Sequence, residues 1–116
     1  MKTIIAGSRG FCDILSGWSF INSVHEHQPI TEVVCGMAKG VDTHGKLWAK
    51  DKGIPVKEFP ANWNKYGKAA GPIRNKQMAE YADAALVIHN GSKGSLNMIN
   101  QMKKVGKPVY EWRYGI

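Results

Sequence analysis

At 116 residues, with 43% hydrophobic and 22% charged side chains, the chain has the size and balance of one soluble globular domain and excludes a disordered or fibrous one. No run approaches the roughly 20 apolar residues that span a bilayer, and Met1-Lys2-Thr3-Ile4 enters a strand pattern without a signal-peptide core. A formal net charge of +7 favours an anionic partner, a phosphorylated small molecule or nucleic acid, over a merely well-solvated basic surface.

The predicted elements alternate from the start. A strand at Thr3–Ala6 runs into the turn Gly7-Ser8-Arg9-Gly10 and a helix over Ser16–His27. Ser8 and Arg9 are candidates for one phosphate, the arginine through its fork of donors; the alternative pairs Arg9 with Asp13 on the surface. The turn lacks the Gly-x-Gly-x-x-Gly spacing of dinucleotide-binding strands, so ordinary NAD chemistry is not expected. His25 and His27 fall on different faces near a helix end, with no third ligand nearby, so no metal is expected. Cys12 and Cys35 are isolated thiols; reduced, they suit the cytoplasm.

A second strand, Glu32–Cys35, leads through Gly36-Met37-Ala38-Lys39-Gly40 to a helix from Asp42 to Lys52. Gly36 and Lys39 are candidate ligand contacts. Asp42 fits either the N-cap of that helix or a carboxylate accepting from a ribose or base, and His44 is assigned to solvent. Gly53-Ile54-Pro55 ends the helix, and a third strand follows at Val56–Phe59.

The stretch from Pro60 to Gly71 reads as irregular. Its two aromatics and two lysines make Trp63 and Lys68 candidates for stacking on a base and neutralising a phosphate, unless Trp63 and Tyr66 only pack the loop down. Pro72–Tyr81 reads as a helix with proline in its first turn, carrying Arg74 and Asn75 toward the same edge. The apolar run Ala84–His89 is a fourth strand, and Gly91-Ser92-Lys93-Gly94-Ser95 then opens a helix over Ser95–Val105. Amides at a helix N-terminus, the two hydroxyls and Lys93 suit a phosphate, although a plain turn with a serine cap needs no ligand. The spacing is not that of a P-loop. Leu96, Met98, Ile99 and Met102 read as core, Lys103, Lys104 and Lys107 sit near the end of that helix, where cations are favourable, and Val109–Trp112 is a last short strand.

Five strands separated by helices give an α/β fold, a parallel sheet with helices on both faces. If the strands are parallel, the glycine-rich turns share one sheet edge, where open α/β folds bind ligands. That edge is the expected site for a nucleotide-derived ligand such as a mononucleotide, ADP-ribose or a cyclic signalling nucleotide. No metal or cofactor is called for. The sheet edge and apolar helix faces (Leu47 with Trp48, or Met98 with Met102) are candidates for a homodimer.

Taken in order, Ile5 to Phe11, Gly36 to Asp42, Pro60 to Trp63, Gly67 to Asn75 and Asn90 to Ser95 resemble the SLOG superfamily. This is the Rossmann-like group of the Smf/DprA DNA-processing proteins and the LOG phosphoribohydrolases, and the pieces look most like its small YspA/YpsA-like branch. The resemblance implies a three-layer sandwich with strand order 3-2-1-4-5, one nucleotide-binding domain over residues 1–116, and Gly7–Gly10 facing Gly91–Ser95 across one crevice. In the LOG pattern Arg74 matches the motif arginine and Gly91–Ser95 the phosphate loop, but Met98 stands where the motif has glutamate. The resemblance therefore implies a binding protein, a sensor or sequestering domain, ahead of a LOG-like hydrolase or a DprA-like binder of single-stranded DNA.

Overall fold

The computed structural model describes residues 1–36 and 40–114. Its elements are β1 (Lys2–Gly7), α1 (Ile14–His27), β2 (Glu32–Cys35), α2 (Val41–Lys52), β3 (Val56–Glu58), α3 (Trp63–Tyr66), α4 (Ala70–Tyr81), β4 (Ala84–His89), α5 (Lys93–Lys104) and β5 (Val109–Arg113). One turn of 3-10 helix, Gly67–Ala69, joins α3 to α4. The strands form one all-parallel sheet in the order β3-β2-β1-β4-β5. This is the expected doubly wound Rossmann-like arrangement.

Alternation along the central strands builds two cores. Ile4, Ala6, Val34, Ala85 and Val87 face α4 and α5, where Met78, Ala79, Met98, Ile99 and Met102 cover them. Ile5, Val33, Leu86 and Ile88 face the opposite way, against Ile21 and Val24 of α1 and Trp48 and Ala49 of α2. Strands buried on both faces carry continuous apolar runs, as β4 does with all six residues buried. The packing also uses up most of the helix faces proposed for self-association. Trp48, Met98 and Met102 are interior, and of those four only Leu47 is exposed. Leu96, assigned to the core from its spacing, is exposed as well.

Several local assignments change. The stretch 60–71 is not wholly irregular, because Asn62 Oδ1 accepts from Lys65 N–H at 3.1 Å and caps the short α3. The N-cap of α2 is Gly40, not Asp42. His44 packs edge-on against Phe11 and is half-buried, not turned to solvent. His25 Nδ1 accepts from Ile30 N–H at 2.9 Å while its ring packs edge-on against Trp48, which gives it a structural role. Lys107 does not serve the end of α5. Its Nζ donates to the carbonyls of Ala79, Glu80 and Ala82, satisfying acceptors left over at the C-terminus of α4. Among the described residues no helix is long and apolar enough to cross a membrane.

Candidate ligand-binding cleft

At the C-terminal ends of β1 and β4 the chain brackets an open cleft of about 660 Å³. Its position follows from strand order. β1 and β4 are neighbours, yet one runs on to a helix on one face of the sheet and the other to a helix on the opposite face, so their turns diverge and leave a crevice. Gly7 sets how close the two strand ends come. A Cβ there would lie 1.8 Å from Ile88 O, the same carbonyl that accepts from Ser8 N–H at 3.0 Å.

Ser8, Ser92 and Ser95, far apart in sequence, form a chain of hydroxyls in this crevice. Ser8 Oγ lies 3.1 Å from Ser92 Oγ, and Ser92 Oγ donates to Ser95 Oγ at 2.8 Å. Ser8 Oγ also donates to Asn90 Oδ1 at 2.9 Å and accepts from Asn90 N–H. Ser92 is the N-cap of α5, but its hydroxyl makes no capping bond to the helix backbone. The amides that open this twelve-residue helix therefore have no side-chain acceptor at the cap, and they carry the positive end of its dipole.

Arg74 closes the far wall. Its Nη1 donates to Gly36 O and its Nε to Asn75 Oδ1 at 3.0 Å. Asn75 Nδ2 then reaches Gly94 O and Asn97 Oδ1, tying α4 to the start of α5. Burial pushes the Arg74 guanidinium below its ordinary pKa and the charge of Arg9 adds to that, while Asp42 and, more weakly, Cys35 oppose it. Asp42 is itself buried, with Oδ2 accepting from Gly36 N–H at 3.1 Å. Arg9 does not pair with Asp13, whose carboxylate instead caps α1 through Ser16 N–H. Among the described residues no ion pair involves Arg9, Lys68 or Lys93 on the cleft wall.

Of the residues singled out in the sequence, Gly7, Ser8, Arg9, Asp42, Trp63, Lys68, Arg74, Asn75, Ser92, Lys93, Gly94 and Ser95 line the cleft. Gly36 and Gly91 stand behind it, holding Arg74 and shaping the turn before α5. Lys39 lies outside the described residues. Trp63 is 52% exposed, with its ring edge against Gly71. Sequence reasoning missed Asn90, Asn97, Met78 and Met98 as wall residues. Helical spacing carried a signal for three of them, since Met78 lies four residues after Arg74, and Asn97 and Met98 follow Ser95 within one turn.

The family model of the YspA, cpYpsA-related SLOG family (YAcAr) matches residues 1–66. The chain belongs to this family. A relative, the Gene 61 protein of Mycobacterium phage D29, is 31% identical over 93% of this chain and 93% of its own length. Among solved structures, DNA processing protein A (DprA) from Streptococcus pneumoniae superposes on 99% of this chain with a TM-score of 0.77 at 20% identity. This SLOG chain covers 51% of the DprA chain, so it matches about half of that protein. The family match takes in the Gly7–Gly10 turn and Asp42; the turn before α5 lies beyond it.

Proposed function

We propose that this SLOG protein binds a nucleotide-derived ligand, a mononucleotide, ADP-ribose or a cyclic signalling nucleotide, and acts by sensing or sequestering it. One observation carries the reading: the turns after β1 and β4 bring three serine hydroxyls and an uncapped helix N-terminus to one cleft whose rim holds Arg9, Lys68 and Lys93 without ion pairs among the described residues. The opening amides of α5 and the Ser95 hydroxyl, which accepts from Ser92 and keeps its own hydrogen, donate to a phosphate, the rim cations neutralise it, and the exposed ring of Trp63 offers a face for a base.

The wall favours holding a ligand over cleaving it. Among the described lining residues Asp42 is the one carboxylate, and it is engaged by the Gly36 amide. Met98 and Met78 present thioethers, which neither carry a proton nor stabilise a developing cation.

Native mass spectrometry of the purified protein tests the reading, followed by calorimetric titration with AMP, ADP-ribose and single-stranded oligonucleotides. The expected result is a bound nucleotide that remains intact after incubation. Release of free base would make the protein a hydrolase. Oligonucleotide binding that falls steeply with salt, with no small-ligand binding, would instead support a DNA-processing role like the one DprA is named for.

A further inference from the structure

The turn before α5 rests on a buried side chain that no motif picks out. His89 is the last residue of β4 and is wholly buried. Its Nδ1 accepts from Gly91 N–H at 3.0 Å. A backbone amide only donates, so Nδ1 carries no hydrogen and the ring proton sits on Nε2, which faces Glu111 Oε2 at 2.5 Å. Strand register makes the contact possible. Val87 stands opposite Glu111 and His89 opposite Arg113, so these side chains share one face of the sheet.

Gly91 is gripped from a second direction. It has φ +92°, a conformation that favours glycine, and a Cβ there would meet the Arg113 guanidinium at 2.7 Å. One residue earlier, Asn90 N–H is taken by Ser8 Oγ. Consecutive amides are thus held by His89 and Ser8, and the chain direction they impose leads into the uncapped first turn of α5.

We propose that His89 is a positioning residue for the anion-binding turn: relayed through Nε2–H to Glu111, its Nδ1 fixes Gly91 and so aims the N-terminus of α5 into the cleft. This deepens, and rests on, the nucleotide-binding reading. A histidine that merely fills the core would be replaceable by any side chain of similar size. A positioning histidine is replaceable only by one that keeps an acceptor at Nδ1.

Two near-isosteres separate these roles. His89→Asn keeps an oxygen close to the place of Nδ1 and gives up the reach to Glu111. His89→Gln puts an amide nitrogen close to the place of Nε2 and offers Gly91 nothing. Hydrogen exchange of the Gly91 amide is measured by NMR in the ligand-free protein, and affinity for ADP-ribose and AMP by calorimetry. The expected result is near wild-type Gly91 protection and affinity in His89→Asn, and loss of both by on the order of tenfold in His89→Gln. Since a wholly buried substitution also risks the fold, Glu111→Leu, on an exposed position, provides a second route. It should speed Gly91 exchange, whereas Glu111→Gln, which still accepts from Nε2–H, should not. Equal Gly91 exchange in the Asn and Gln variants, or no change in Glu111→Leu, overturns the assignment. If the wild-type protein binds neither probe, the nucleotide reading fails, and the exchange pattern by itself still decides the role of His89.

Discussion

Substituting Gly36 by alanine displaces Arg74 without altering it. Gly36 is not among the glycines with positive φ, so alanine meets no backbone strain; its Cβ would instead land 2.2 Å from Arg74 Nη1 and 2.7 Å from Cζ. The guanidinium is the free end of a long side chain, so it is the group that moves away. Moving breaks its donations to Gly36 O and Asn75 Oδ1 and withdraws a positive charge from the vicinity of buried Asp42. A hydrogen bond from a charged group contributes about 1.5–3 kcal/mol. Because both donors leave together into a cleft that water reaches, the expected net cost is that of a single such bond, ~2 kcal/mol, and not of two. Arg74→Ala removes the same contacts and should cost the same. In the double variant the new methyl has room, so the pair should also cost ~2 kcal/mol where independent sites would give ~4 kcal/mol. Urea denaturation of ligand-free protein, followed by the fluorescence of its four tryptophans, measures all three. Additive costs, or wild-type stability in Gly36→Ala, would refute the placement of the guanidinium against Gly36.

Lys107→Met should destabilise the protein by about 1–2 kcal/mol, with early fraying at the end of α4, because three carbonyls lose one shared donor; amide exchange near Ala82 reports it. Asp13→Asn tests the pH dependence of α1. Hydrogen bonds from Ser16 hold the Asp13 pKa below its ordinary value, so its charged form stabilises the fold above the unfolded-state pKa, and this contribution fades as pH falls through the folded one. The variant should therefore lose part of the wild-type stability change between neutral and acidic pH, read by melting temperature across that range. Arg9→Ala and Lys93→Ala should each weaken ADP-ribose or AMP binding by on the order of tenfold at low salt and leave stability unchanged, since neither charge has an ion-pair partner among the described residues; calorimetry and thermal melts separate the two effects.

The sheet was readable because its signal is local and redundant. Each inner strand is an apolar run ended by glycine or a cation, and the helices between them show spaced apolar residues and recognisable stops. Errors fell where a partner distant in sequence decides the outcome. Asp42 has the residue type and nearly the position of a helix cap, but the carboxylate is taken by the Gly36 amide instead. Lys107 sits where a cation suits the end of α5, but tertiary packing delivers it to α4. Asn62 looked like part of a polar loop because a four-residue helix is too short to show a period; only its capping bond to Lys65 reveals it.

The cleft was legible to a different depth. Residue type and turn position were enough to gather twelve wall residues, because a parallel sheet sends every strand-to-helix turn to one edge. What the sequence withholds is which donors are already spent. A motif such as Gly91-Ser92-Lys93-Gly94-Ser95 suggests equivalent donors along its whole length, but Gly91 N–H is given to His89, and the Ser92 hydroxyl turns to Ser95 and not to its own helix. Ligand selectivity in such a site rests on that difference, since an anion can take only the donors that the fold has not used. Ser8 and His89 decide which amides are used, by accepting from Asn90 N–H and Gly91 N–H, and His89 does not have the composition of a binding residue. His89 in particular is hidden by its position, as the polar end of an otherwise apolar strand, where the following turn supplies the partner of Nδ1 and only the register of β5 shows that of Nε2.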